Sequence, residues 1–186
     1  MNRLRGRPAL GQGIAREDIL AAAQALLDEG DGQGLTMRAL ATRLGVTPMS
    51  LYHHVGDQAR LLRSLSDRVY AEALEGVEEV TDPRTEILEL LSRYHHAVGR
   101  HPQLTLAIFA TPAALAGVTR QLSERLATLL AHITPDPLRW RDILVDHAHG
   151  SGLALTSARG DPAQAWAMQL QYQQALDSLL GCLAPP

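Results

Sequence analysis

The sequence predicts an all-helical protein. Ala and Leu dominate its 186 residues, only one residue is Phe, and β-branched residues are sparse, which together favour helices over strands. Caps and turn signals separate stretches of helical periodicity, and they predict helices at about 16–29, 37–44, 48–54, 57–76, 83–99, 103–109, 112–132, 137–158 and 162–181.

The first predicted helix has an acidic first turn and one apolar face. Glu17 and Asp18 suit the positive end of the helix dipole, and Gly30 follows the last periodic residue. Ala15 stands at the cap position, where Ser or Thr would satisfy the free N–H groups better. The start of this helix is therefore weakly specified. Its apolar face comprises Ile19, Ala23, Leu26 and Leu27.

Two short capped helices follow in close succession. Thr36 can cap the first, Gly45 ends it, Thr47 can cap the second, and Pro48 takes the first helical position there. Hydrophobic residues flank both caps at the spacing of a staple, which fixes the angle at which the chain enters each helix. Two such helices joined through one glycine are typical of a helix-turn-helix.

Later helices begin at repeated start signals. An Asp-Pro pair offers a capping carboxylate followed by the residue that best suits the first helical position. These signals are Asp82-Pro83, Asp136-Pro137 and Asp161-Pro162, with Thr111-Pro112 as a fourth of the same kind.

Charge is distributed unevenly along the chain. Residues 1–70 carry nine arginines against seven acidic residues, whereas residues 71–186 carry eight against thirteen. This asymmetry suggests that the first part faces an anionic partner and the second part does not. No signal peptide or transmembrane stretch is evident, and Cys182 is alone, so we expect a soluble, cytoplasmic protein in which that thiol is buried.

Residues 35–62, LTMRALATRLGVTPMSLYHHVGDQARLL, resemble the DNA-binding domain of the TetR (tetracycline-repressor) family. The residues that carry the resemblance are Leu35-Thr36, Arg38, Leu40-Ala41, Leu44-Gly45-Val46, Leu51-Tyr52, His54-Val55 and Leu61-Leu62. The resemblance implies a flexible basic arm at 1–13, a three-helix helix-turn-helix DNA-binding domain at 14–74, and a helical ligand-binding and dimerisation domain at 75–186. It also implies association with the nucleoid.

The resemblance implies that the helix at 48–54 enters the major groove of double-stranded operator DNA. Arg38 matches a position that contacts a base or a phosphate, and Tyr52 matches a position used for phosphate contact. The alternative for each is a solvated surface residue. Gln58 stands where the family commonly has a phosphate-binding Lys, a loss for which Arg60 can compensate. The implied contact residues on the folded domain are Arg38, Thr47, Pro48, Met49, Ser50, Tyr52, His53 and Gln58.

The N-terminal arm contains Arg5-Gly6-Arg7-Pro8, a short motif of the kind that places arginines in a narrow A·T minor groove. We expect Arg5 and Arg7 to contact DNA in this way; the alternative is a solvated tail.

In the second half, the resemblance implies a ligand cavity and a four-helix dimer interface. The aromatic and apolar residues of this half predict a largely apolar effector. Candidate ligand-binding residues are Tyr94, His95, Leu106, Phe109, Trp140 and His147. Small residues in the penultimate helix allow another helix to approach closely, and the alternatives are a kink or a tight crossing within the chain. Candidate dimer residues are Gly150, Gly152, Ala154, Trp166 and Leu170.

The function that follows is a homodimeric transcriptional regulator, a repressor that a small-molecule effector releases from a palindromic operator. A regulator without an inducer is one alternative, and it predicts no cavity of about 300 Å³ in the second half. A helical enzyme is the other alternative, although no phosphate loop, zinc signature or nucleophile elbow is present. We expect no cofactor and no membrane partner. We also expect no metal, since His147 and His149 are two residues apart and do not share a helix face.

Overall fold

A computed structural model describes residues 14–30, 34–74 and 82–183 of the chain. These residues form nine α-helices and two short 3₁₀ helices, with no strand among them. The helices are α1 (Arg16–Glu29), α2 (Met37–Leu44), α3 (Pro48–Val55), α4 (Gln58–Leu74), α5 (Pro83–Arg100), α6 (Pro102–Phe109), α7 (Val118–Leu130), α8 (Pro137–Ala154) and α9 (Pro162–Gly181). The all-helical class that the sequence predicts is confirmed.

Residues 14–30 and 34–74, termed the reading head, contain helices α1 to α4. Thr36 and Thr47 cap α2 and α3 by accepting the backbone N–H groups of the third residue along, at 3.1 and 3.2 Å. Between the two helices Gly45 adopts the left-handed conformation, with φ of 69°, which a glycine adopts without a steric cost. The predicted helix-turn-helix is therefore present. Its buried apolar core includes Ile19, Leu27, Leu40, Leu51, Leu61 and Leu65.

Among helices α5 to α9, α5 and α8 cross closely. A Cβ atom built on Gly152 of α8 would lie 2.7 Å from Val98 Cγ1 and 3.1 Å from the His95 carbonyl oxygen. Only a glycine lets the two backbones approach to this distance. Helix α9 packs beside them, and Tyr172 Oη donates a hydrogen bond to the Leu91 carbonyl oxygen at 3.2 Å.

The prediction of one continuous helix at 112–132 is wrong for its first turns. A 3₁₀ helix occupies Pro112–Ala114, and α7 begins only at Val118. Gly117 breaks the helix with φ of 69° and ψ of −130°, because the Asp67 carboxylate of α4 packs against it and accepts the Val118 N–H at 2.9 Å. The contact joins residues about fifty positions apart, so local sequence does not reveal it.

Two of the three Asp-Pro pairs cap their helix through the Asp side chain, and the third does not. Asp82 and Asp161 each accept backbone N–H groups of the helix they precede. Asp136 makes no such side-chain bond, and its own N–H donates to Thr134 Oγ1 instead. The last turn of the predicted helix at 137–158 is also replaced, by a 3₁₀ helix at Leu155–Ala158.

No helix in the three described ranges is long and apolar enough to cross a membrane. The expectation of a buried thiol is wrong, since Cys182 is exposed just after the end of α9.

Candidate DNA-binding surface and ligand cavity

Helix α3 has one buried face and one exposed face. Leu51 and Val55 anchor it on the core of the reading head. On the opposite side, 66% of Met49 and 48% of Tyr52 are exposed, and His53 also faces solvent. Thr47 and Pro48 are exposed at the start of the helix, and Ser50 is half-buried. A rigid, externally accessible rod of this length fits a major groove about 12 Å wide.

The exposed face of α3 lies between two surface grooves. The first, with a volume of about 770 Å³, brings together Arg38, Pro48, Tyr52 and Gln58 from three helices. The second, with a volume of about 390 Å³, continues past Tyr52; its polar and charged lining residues are Arg16, Tyr52, His53, His54, Arg60, Arg63, Ser64 and Asp67. The two grooves share Tyr52, and together they contain five of the residues implied for DNA contact: Arg38, Pro48, Tyr52, His53 and Gln58.

Gln58 has a structural role in addition to the implied phosphate contact. Its Nε2 donates to the Leu35 carbonyl oxygen at 2.9 Å, so it braces the start of α4 against the segment before α2. Asp57 caps α4 by accepting the Arg60 N–H at 2.8 Å, which places a carboxylate beside the helix N-terminus. A DNA phosphate near this N-terminus would have to lie beside that carboxylate. Arg5 and Arg7 lie outside the described residues.

A small cavity lies between α4, α5, α6, α7 and α8. Its volume is about 90 Å³, and its lining residues are Tyr70, Tyr94, Thr105, Ile108, Phe109, Leu115, Thr119 and His149. Two hydrogen bonds line it: Tyr94 Oη lies 2.6 Å from His149 Nε2, and Tyr70 Oη lies 2.7 Å from Thr105 Oγ1. The Phe109 ring packs edge-on against His149 with the ring centres 4.8 Å apart.

Burial keeps the polar groups of this cavity uncharged at neutral pH. Desolvation raises the pKa of Tyr70 to about 12 and also raises the pKa of Tyr94. Burial lowers the pKa of His149, although the nearby Asp146 carboxylate opposes this shift. The cavity therefore offers neutral hydroxyl and imidazole groups to an occupant, and it is suited to an uncharged molecule with one or two polar atoms.

The structure separates the predicted ligand-binding residues. Tyr94 and Phe109 line the cavity, whereas 46% of Leu106 is exposed to solvent and Trp140 packs partly buried at the edge of the core. His95 stacks on Tyr172 with ring centres 3.8 Å apart and lies 3.2 Å from Ser151 Oγ. His147 also stacks on Tyr172, with ring centres 5.1 Å apart.

Sequence reasoning missed His149 as a cavity residue. It reaches Tyr94 and Phe109 from a third helix, and no spacing along the chain links the three. Within the described part of the chain, no three His, Cys, Asp or Glu side chains are close enough to hold a metal ion.

The predicted dimer residues fall into two environments. Gly150 and Ala154 on α8 are exposed, and no described atom lies within 4 Å of a Cβ built on Gly150. On α9, 65% of Trp166 and 38% of Leu170 are exposed. Gly152, by contrast, is buried in the crossing with α5 inside the chain. An apolar surface on α8 and α9 thus remains uncovered in the single chain.

Comparison with known proteins agrees with this geometry. Residues 19–65 match the family described as "Bacterial regulatory proteins, tetR family". The chain is 31% identical over 125 residues to a nucleoid occlusion factor SlmA of Idiomarina loihiensis. This match covers 63% of this chain and 61% of that protein. It is 31% identical over 116 residues to an HTH-type transcriptional regulator of Mycobacterium tuberculosis, covering 54% and 53% of the two chains. The match thus spans less than two thirds of these relatives.

Solved structures extend the likeness over most of the chain. Mycobacterium smegmatis BioQ superposes with a TM-score of 0.72 at 23% identity, covering 90% of this chain and 96% of the other. A TetR variant of Acinetobacter baumannii AYE, crystallised with minocycline, superposes with a TM-score of 0.69 at 22% identity, covering 90% and 95%. The fold of these proteins is the fold found here. The helix-turn-helix segment is thus similar to that of the TetR family of bacterial regulatory proteins, and the described chain has the fold of these solved structures.

Proposed function

We propose that this protein is a homodimeric transcriptional regulator that binds an inverted-repeat DNA operator. The observation that carries the proposal is the exposed face of α3, which is braced from behind by Leu51 and Val55 and is covered by no other described element. One BioQ structure of the same fold, with a TM-score of 0.67 and 24% identity over 91% of this chain, contains that protein's natural double-stranded DNA operator. That likeness supports the same docking of α3 here.

Residues around α3 divide by the part of DNA they would contact. Ser50 and His53 lie where base edges would pass, and Met49 offers an apolar contact to a thymine methyl group. Arg38 and Tyr52 share the groove beside α3, where a guanidinium and a phenol hydroxyl suit phosphate oxygens. Arg38 can also reach a guanine, because its guanidinium fork matches the two acceptors of that base.

The arm at residues 1–13 would add minor-groove contacts through Arg5 and Arg7. Each phosphate neutralised by an arginine contributes about −0.9 to the slope of log K against log salt concentration. We therefore expect a chain lacking residues 1–13 to show a shallower slope, measured by fluorescence anisotropy between low and physiological salt. An unchanged slope would mean that the arm is a solvated tail.

Dimerisation would use the exposed surface of α8 and α9. Trp166 and Leu170 would fill the apolar centre of the interface, and Gly150 with Ala154 would let the partner helix approach closely. Two copies related by a two-fold axis would present two α3 helices, which is why the proposed operator is an inverted repeat.

Repression with release by an effector is the mode of regulation we propose. An uncharged, largely apolar molecule in the cavity beside Tyr94, Phe109 and His149 would favour a spacing of the reading heads that does not fit adjacent major grooves. Useful coupling requires a difference of about 1–3 kcal/mol between the two states. The residues that line the cavity come from α4 as well as α5 to α8, so an occupant would touch the helix that ends the reading head.

One observation favours a second candidate, a regulator without an inducer. The cavity volume of about 90 Å³ is below the roughly 300 Å³ at which drug-sized ligands are usually held. An effector would therefore have to be very small or would have to widen the cavity by moving Phe109 or Leu115, which are both partly exposed.

The test is selection of bound DNA from a random pool with purified protein. We expect an inverted repeat with half-sites about one helical turn apart. Arg38→Ala should weaken binding to the selected site by about 1–3 kcal/mol and relax one base position if the guanidinium contacts a base. Arg139→Ala, an exposed arginine on α8, is the matched control and should change nothing. Recovery of no common sequence would remove the proposal.

A further inference from the structure

The second groove beside α3 carries three arginines. Its volume is about 390 Å³, and Arg16 of α1 lines it together with Arg60 and Arg63 of α4. None of these three side chains forms an ion pair with a carboxylate of the described residues. Arg43 of the same reading head, by contrast, bonds to the Glu29 carboxylate through two guanidinium nitrogens. The groove therefore has positive charge that the described part of the chain leaves unmatched.

The two grooves beside α3 differ in their charge. The first contains one arginine, Arg38, and one carboxylate, Asp57, so its charges balance. In the second, Asp67 is the one carboxylate against three arginines. The Asp67 carboxylate packs against Gly117 and accepts the Val118 N–H at 2.9 Å, so it is already engaged at the start of α7. The second groove is therefore the more basic side of α3.

Neutral groups hold the arginines of the second groove in place. Arg16 Nη2 donates to Ser64 Oγ at 2.6 Å, and Ser64 Oγ donates to the Arg60 carbonyl oxygen at 3.0 Å. The side chain of Arg60 lies over Gly56, where a Cβ atom would come within 2.6 Å of Arg60 Cδ. The hydrogen-bond partner of Arg63 Nη2 is a backbone carbonyl oxygen at 2.7 Å. These contacts orient the side chains without cancelling their charge.

The position of the groove relative to α3 indicates what it faces. A helix that lies in the major groove has a sugar-phosphate backbone on each side. Tyr52 lines both grooves, so they flank α3. When the first groove faces the backbone of one strand, the second faces the backbone of the other strand. Arginine suits that position, because its guanidinium donates two parallel hydrogen bonds to phosphate oxygens.

We propose that the second groove binds backbone phosphates of the operator strand opposite to the strand that Arg38 contacts. Arg16 and Arg60 are exposed and contact the phosphate oxygens, and Arg63 adds its charge from a half-buried position. The inference rests on the proposed function and deepens it. It gives the reading head a contact on the second strand, one that fixes the register of α3 and carries no sequence information.

The salt dependence of operator binding tests the site, measured by fluorescence anisotropy with the full chain. Arg16→Gln and Arg60→Gln should each make the slope of log K against log salt concentration shallower by about 0.9, because each removes one neutralised phosphate. Each variant should weaken binding to the selected operator and to a random duplex of equal length by the same factor. The fold should tolerate both substitutions, since both arginines are exposed.

Arg43→Gln is the matched control, because Arg43 lies outside both grooves and Glu29 already matches its charge. This variant should keep the slope of the unaltered chain. Equal slopes for Arg16→Gln, Arg60→Gln and Arg43→Gln, with operator binding intact, would overturn this inference alone. A chain that binds no DNA would remove the proposed function, and this inference with it.

Ethylation interference on the selected operator tests the assignment to a strand. With the unaltered chain, ethylated phosphates on both strands of each half-site should block binding. Arg60→Gln should lose this interference on one strand and keep it on the other. Interference confined to one strand for the unaltered chain would contradict the proposal.

A competition experiment separates the DNA backbone from a free phosphate as the occupant. Inorganic phosphate that replaces chloride at constant ionic strength should leave operator binding unchanged. A saturable loss of binding that Arg60→Gln abolishes would assign the groove to a free phosphate and would overturn the assignment to DNA.

Discussion

Helices α2 and α3 of the reading head begin at caps that span three residues, whereas α7 begins at a contact with a side chain of another helix. Thr36 and Thr47 cap α2 and α3 through the third residue along. Asp67, by contrast, fixes the start of α7 from 51 residues away, and Arg125 of α7 binds the buried Glu86 of α5 from 39 residues away.

This difference has a consequence for function. A helix start fixed by a local cap does not depend on the position of a distant helix, which suits a surface that must match DNA. A helix start fixed by another helix, such as that of α7, can change when that helix moves, which suits the ligand response that we propose. The four predictions below test this comparison, from the largest expected effect to the smallest.

Truncation of a buried leucine should lower stability whether it lies in the reading head or in α7, but it should affect DNA binding only in the first case. Leu51→Ala in α3 and Leu126→Ala in α7 each remove a fully buried side chain, and each should cost about 2–5 kcal/mol in urea unfolding. Leu51 braces the exposed face of α3, so its loss should also abolish binding to the selected operator. The folded fraction of Leu126→Ala should still bind. Operator binding by Leu51→Ala at the original affinity would contradict the account.

Acid should destabilise the protein through His95 in the second half. Burial, with smaller effects of the nearby His147 and His96 charges, lowers the pKa of His95 to about 4. The folded chain then binds fewer protons than the unfolded chain, whose histidines titrate near 6.5, so stability is lost as pH falls from about 6.5 to 4. The loss attributable to His95 should be about 3 kcal/mol over that interval.

Urea unfolding at several pH values measures this loss. His95→Gln should flatten the dependence, because Gln does not titrate. His53→Gln, an exposed histidine of the reading head, is the matched control and should keep the dependence of the unaltered chain. Equal pH profiles for the two variants would assign the acid sensitivity elsewhere.

Two glycines with the same φ should respond differently to a methyl group. Gly45 and Gly117 both have φ of 69°. A Cβ on Gly45 meets no described atom within 4 Å, whereas a Cβ on Gly117 would lie 2.1 Å from Asp67 Oδ1. Gly45→Ala should therefore cost about 1–2 kcal/mol of unfolding free energy, from backbone strain alone. Gly117→Ala should cost at least about 1 kcal/mol more, because its φ of 69° with ψ of −130° strains an alanine further and because the clash breaks the bond to Val118. Equal costs would show that α4 does not hold the start of α7.

The smallest expected difference concerns two helix starts that look alike in sequence. Thr36→Ala removes a hydrogen bond to the Ala39 N–H and should cost about 1 kcal/mol in thermal or urea unfolding. Asp136→Ala removes a side chain that accepts no N–H group of α8, so its effect should stay within about 0.5 kcal/mol. A larger loss of unfolding free energy for Asp136→Ala than for Thr36→Ala would contradict the assignment of a side-chain cap to Thr36 and none to Asp136.

The same contrast explains how much could be predicted from the sequence. The bounds of α1 to α3 agree with the predicted ranges to within one residue, because caps, staples and Gly45 are local signals. The exposed face of α3 was implied by the resemblance of residues 35–62 to TetR-family DNA-binding domains. The start of α7 was predicted wrongly, because Gly117 takes its conformation from a contact with Asp67.

Contacts between distant helices also limited the prediction of the second half. Gly150 and Gly152 look equivalent in sequence, yet one faces open space and the other lies against Val98 of α5. His149 joins Tyr94 and Phe109 only because three helices converge. Leu106 was predicted as a ligand contact from its apolar character alone, and it lies on the outer face of α6.

Methylation protection on the selected operator tests the central claim most directly, because guanine N7 lies in the major groove and adenine N3 in the minor groove. With the full chain bound, the account predicts protection of guanine N7 in two half-sites whose centres are about 10 base pairs apart, or a multiple of that spacing. Guanine N7 atoms that stay fully reactive in both half-sites, while the chain remains bound, would contradict it.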